Sequence, residues 1–107
     1  MKTVNIAKQF TRFPSGRFKK NGDTSGEAFR ERFLEGSLSN GESITIELDG
    51  TIGYGSSFLE EAFGGSVRKL KIDPEIVLTL IKLKSEDPAL IEEIQQYIRE
   101  AGVRNQN

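Results

Sequence analysis

The run Leu48–Lys69, LDGTIGYGSSFLEEAFGGSVRK, holds the residues best placed to do chemistry. Ser56 and Ser57 stand side by side behind Gly50, Gly53 and Gly55, where a strand pattern gives way to a helical one. A helix starting there presents its unpaired N–H groups and the positive end of its dipole beside two hydroxyls. Three uses are open. Ser57 can cap the helix, worth about 1 kcal/mol, with Glu60 completing a capping box and the glycines only shaping the turn. The turn can hold an anion or phosphate; no Lys precedes the serines, so the nucleotide-binding pattern G-x-x-x-x-G-K-[ST] is absent. Alternatively, Ser56 can itself accept a phosphate, which the dipole stabilises and which changes the charge of the surrounding face. Gly53, Tyr54 and Gly55 would then form the surface a partner reads, together with Glu60 and Glu61, taken as an outward pair whose charge opposes an added phosphate.

Other candidate groups carry less. Glu47 and Asp49 share a strand face, and Glu60 and Glu61 are helix neighbours. Paired carboxylates can do acid–base work or bind a metal, but both need burial, which the pattern does not suggest. Neither a catalytic residue, a metal site nor a cofactor is expected. Arg12, Arg17 and Arg68, with Lys69 and Lys71, could converge on a phosphate or a nucleic-acid backbone. Phe10, Phe13, Phe18 and Tyr54 lie among them in reach of base stacking. The favoured reading is plainer: the Phe residues are core, Tyr54 anchors a loop, and the basic arm from Lys2 to Lys20 guards an edge strand.

The absences are more decisive. With no Cys and no His, disulfides, the usual zinc sites, and Cys–His or Ser–His–Asp catalysis are all excluded. A net charge of −1 provides no global field toward nucleic acid or an anionic membrane. No apolar run approaches the roughly 20 residues that span a bilayer. The start, MKTVNIAKQF, alternates and lacks the apolar core of a signal peptide, so the cytoplasm is expected. The 107 residues suffice for one domain, 1–107, and the 36% hydrophobic content suits a small one.

Several elements position these groups. Val4 and Ile6 alternate with polar neighbours as a half-buried strand does, and Pro14-Ser15-Gly16 reads as a turn. Residues 3–12 and 17–20 are therefore expected to pair as a hairpin. Thr24 and Glu27 fit a capping box for a helix over 25–37, with Phe29, Phe33 and Leu34 inward and Arg30, Glu31, Arg32 and Glu35 wet. Residues 43–49 (SITIELD) form the clearest strand. A helix follows from Ser57 to about 68, running through Gly64-Gly65. Residues 79–84 alternate as a strand, and 76–80 fit either state. Asp87-Pro88 starts a last helix, with Leu90, Ile91, Ile94 and Ile98 on one face up to Gly102; the tail 103–107 is expected to fray. The order β-β-α-β-α-β-α predicts an α/β domain with a small mixed sheet of about four strands covered by helices.

The run Leu48–Lys69, with GRF at Gly16–Phe18 and SGEAFRERF at Ser25–Phe33, closely resembles the STAS-like domain family of unknown function found in bacteria and phages. That family is similar to the STAS domains of anti-sigma factor antagonists, which carry Asp-Ser-Ser-Gly between a strand and a helix. In those domains the first Ser is phosphorylated by a partner kinase. The resemblance places that serine on Ser56 and the next on Ser57, with Gly55 in place of the Asp and Phe58 in place of the Gly. It implies a STAS-like fold, a protein-interaction role in signalling, and a histidine-kinase-like ATPase as partner.

Overall fold

Three short parallel strands carry the molecule. The computed structural model describes residues 2–105, with side chains to residue 102. Strand β1 is Lys2–Asn5, β2 is Ile44–Glu47 and β3 is Ile81–Lys84, in the spatial order β1-β2-β3. Val4 registers with Ile46, and Ile46 in turn with Leu83. The period of two sends Val4, Ile44, Ile46 and Ile81 into the core and leaves Thr3, Asn5, Thr45, Glu47, Lys82 and Lys84 on the other face. Lysines on the β3 edge discourage pairing with a stray strand.

Helices supply the rest of the core. A single turn, α1 (Ile6–Gln9), follows β1 directly. Helix α2 covers residues 26–39 and consists of Gly26–Phe29, a π-turn at Arg30–Leu34, and Glu35–Ser39. Helix α3 covers 56–70 and repeats the pattern: Ser56–Leu59, a π-turn at Glu60–Gly64, then Gly65–Leu70, closed by Lys71 in the left-handed conformation. Helix α4 is Pro74–Leu80 and α5 is Pro88–Asn105. Phe29, Leu34 and Leu38 of α2 meet Phe58, Leu59, Phe63 and Val67 of α3 and Ile94 and Ile98 of α5 over the sheet. The ring pairs Phe29–Phe58 and Phe29–Phe63 stand 5.9 and 6.2 Å apart. Fully burying side chains of this size contributes about 1.5–3 kcal/mol each.

The α/β class stands, but the sheet differs from the expected one. Among the described residues it has three strands, all parallel, and no hairpin joins residues 3–12 to 17–20. Two local interactions decide this. The Asn5 side chain accepts from Lys8 N–H at 3.0 Å, turning the chain into α1 after four strand residues. The carbonyls of Gly16 and Arg17 accept from Gly26 and Glu27 N–H at 3.0 Å each, so this segment satisfies the start of α2 instead of pairing with β1. Ser25, not Thr24, caps α2, its hydroxyl oxygen accepting from Ala28 N–H, while Glu27 accepts from Lys19 N–H. Residues 76–80 are helical because Asp73 caps α4 ahead of Pro74, and β3 is accordingly limited to four residues. Asp87 caps α5 as expected, but α5 runs past Gly102 to Asn105. The expected fraying of 106–107 lies outside the described residues.

Candidate functional site

The turn between β2 and α3 is built by backbone and loop contacts. Leu48 N–H reaches Lys84 C=O, extending the β2–β3 ladder by one bond. The Asp49 carboxylate accepts from the Ser85 hydroxyl at 2.7 Å and from Glu86 N–H at 2.9 Å, tying the turn to the start of α5. Gly50, at φ 106°, lies against Ala7 of α1: a Cβ there would stand 3.1 Å from the Ala7 methyl. The Tyr54 hydroxyl donates to Leu48 C=O at 2.6 Å, and burial pushes its phenol up to about 12. Tyr54 thus anchors the loop, as expected from its aromatic body and polar tip.

Past Tyr54 the turn opens to solvent. Gly53, Gly55, Ser56 and Ser57 are exposed. Gly55 is the N-cap residue of α3 and no side chain caps that end. The Ser57–Glu60 capping box is therefore not formed. The first donors of α3 thus take no side-chain partner and lie at the helix end that carries both hydroxyls, where the dipole is positive.

One turn further on, the helix is entirely different. Glu60 and Glu61, expected to face outward, are buried at 7% and 4% exposure. Arg68 and Arg17 both bond the Glu60 carboxylate. Arg30, expected to be wet, is 1% exposed. Its Nη1 donates to Glu61 Oε2 at 2.6 Å and to Glu61 C=O at 3.1 Å, and its Nε to Glu35 Oε2 at 2.9 Å. Burial alone would raise the Glu60 carboxyl, but the hydrogen bonds from Arg68 and Arg17 outweigh it and hold it below the ordinary range. Burial likewise opposes the charged form of Arg30, and its bonds to Glu35 and Glu61 prevail. The seam depends on small residues. A Cβ on Gly26 would fall 2.4 Å from Phe58 C=O, and one on Gly65 would fall 2.5 Å from Arg30 Nη1.

Of the arginines singled out from the sequence, Arg17 and Arg68 do converge, but on Glu60 and Glu61. Arg12 is elsewhere: it is exposed, and its backbone C=O accepts from Ile52 N–H at 2.9 Å. The three are not one anion cradle. Among the described residues no three acidic groups gather as a metal site requires, and no helix is long and apolar enough to cross a membrane. Sequence reasoning missed Arg30 and Glu35 as members of the seam. The available signal was the Gly64-Gly65 pair inside a helix, where glycine costs about 1 kcal/mol against Ala and so marks a close approach.

No curated protein and no solved structure matches the chain. A family model described as a STAS-like domain of unknown function (DUF4325) matches residues 25–90. That span runs from the cap of α2 through the Gly-Ser turn and both π-turns to the first turn of α5. The match covers well over half of the chain, so the protein belongs to the STAS-like domain family of unknown function.

Proposed function

We propose that this domain is a non-enzymatic, cytoplasmic protein-interaction module whose partner reads the turn from Gly53 to Ser57, and that phosphate on Ser56 switches the contact. One observation carries the reading: two exposed hydroxyls at an end of α3 that no side chain caps, directly after the sheet's central strand. The buried seam adds support. Glu60 and Glu61 would repel a phosphate if they were free, but Arg17, Arg30 and Arg68 neutralise them. The donor would be a histidine-kinase-like ATPase, the partner that the family's likeness to anti-sigma factor antagonists implies. Its ATP would give up the γ-phosphoryl group to Ser56 Oγ, ADP would leave, and the hydroxyl proton would pass to a base on the kinase.

Pull-down with an ATPase encoded beside this protein tests the reading. Ser56→Asp should weaken or abolish retention, while Ser56→Ala should keep it and block phosphate incorporation seen by mass spectrometry. Retention unchanged in Ser56→Asp, Ser56→Ala and Ser57→Ala overturns the switch. The competing reading, a nucleic-acid or phosphate-ligand binder using the basic arm, loses support because Arg17 and Arg68 already hold carboxylates. It requires retardation of DNA or RNA that falls steeply with salt.

A further inference from the structure

Four large apolar side chains stand exposed among the described residues, and the two most exposed, Ile52 at 71% and Phe13 at 61%, lie on adjoining loops. The Ile52 N–H to Arg12 C=O bond joins their loops, and Ala7 against Gly50 brings α1 to the same place. The joined segments, 2–22 and 50–59, contain no Asp or Glu. Lys8 and Arg12 are exposed on the joined segments, and among the described residues neither forms an ion pair. Two carboxylates stand at the border and both are engaged: Glu47 accepts from the Asn5 amide at 3.3 Å, and Asp49 is turned toward Ser85 and Glu86. The result is a basic surface with two apolar projections beside the serine turn.

We infer that this face docks an acidic segment of a partner protein bearing apolar side chains that cover Phe13 and Ile52. The inference rests on the interaction-module reading and gives the partner its chemistry. Charge complementarity selects an acidic occupant and speeds its arrival, and desolvated apolar anchors set how long it stays. Nucleic acid fits less well: Ile52 has no π-face on which a base can stack, and two cations neutralise few phosphates. An anionic bilayer gains little from two cations and two side chains, since stable anchoring requires more. A second copy would have to offer the acidic face of α5, where Glu92 and Glu93 flank Ala89. Such a head-to-tail contact builds rings or filaments instead of a closed pair.

The test is a selection from a displayed random-peptide library against the full chain, followed by affinity measurement of the enriched peptides. Enriched sequences should be acidic and carry aliphatic or aromatic side chains. Phe13→Ser and Ile52→Ser, both at exposed positions, should each weaken binding by about tenfold. Lys8→Gln with Arg12→Gln should slow association and reduce its salt dependence. Basic or neutral consensus peptides, no enrichment, or binding indifferent to these variants would each overturn the inference. So would capture of the chain by phosphatidylserine vesicles in preference to the peptides, or self-association that Ile52→Ser removes. If the peptides bind as expected but Ser56→Asp changes nothing, the docking face stands and the switch fails. If Ser56→Asp acts while Phe13→Ser and Ile52→Ser do not, the switch stands and the face fails.

Discussion

Ser56 and Ser57 lie four residues before Glu60 and Glu61 on the same helix, yet the two pairs live in opposite environments. The serines are exposed and make no cap, so the helix end beside them has unspent hydrogen-bonding capacity. The glutamates are buried, and the described residues leave no buried side-chain nitrogen or oxygen without a partner. The difference shows where this molecule puts polar groups for structure and where for contact. A buried charge that is fully bonded resists rearrangement, whereas an exposed hydroxyl at a helix tip is free to be covered or modified.

The sharpest way to break this contrast is to remove one side of the buried seam. Arg30→Ala should destabilise the domain by about 3–5 kcal/mol, because it strands Glu61 without its main partner. Chemical denaturation checks this, and Arg30→Met with Glu61→Leu should recover part of the loss. Gly26→Ala should come next. Its methyl would press on the Phe58 carbonyl, and a loss of about 1–3 kcal/mol is expected in place of the gain an exposed helix site would give.

Acid should act on the seam and not on the turn. The folded Glu60 carboxyl is held below its unfolded value, which lies near about 4.3 for a free Glu. Its contribution is thus full above that value and is lost as the pH falls through the folded one. Urea midpoints measured across this range should decline toward acid, and Glu60→Gln should flatten part of that decline. Weaker still is the comparison of caps. Ser25→Ala should cost about 1 kcal/mol because its oxygen accepts from Ala28 N–H. Ser56→Ala and Ser57→Ala should each stay within about 0.5 kcal/mol by thermal melts, since neither serine caps α3. A Ser57→Ala loss as large as that of Ser25→Ala would show that Ser57 is a cap after all and weaken its case as a contact residue.

Much of the local structure was legible from residue spacing. Ile44 and Ile46 alternate as a strand's buried face must, and Asp87-Pro88 is a helix start by cap chemistry alone. The Gly-Ser turn was legible as a strand-to-helix junction for the same reason. The hairpin was misread because period-two alternation in Val4–Ala7 says nothing about what a segment pairs with; Asn5 and the free donors of α2 settled that. Arg30, Glu60 and Glu61 were misread because polar residues default to solvent. Their burial required Arg17 and Arg30 to come from 30 or more positions away, joining the nearby Arg68 of the same helix.

By itself, then, the chain's order of residue types determined the α/β class, the strand-to-helix turn carrying Ser56 and Ser57, and the exclusion of His and Cys chemistry, since each rests on local periodicity or on composition. Tertiary structure alone decided that the sheet is parallel throughout, that Arg17, Arg30 and Arg68 pair with Glu35, Glu60 and Glu61 in one largely buried seam, and that the Phe13 and Ile52 loops adjoin. Those outcomes depend on which distant segments meet. Coulomb attraction, desolvation and backbone pairing act only once groups far apart in the chain are a few ångströms apart in space.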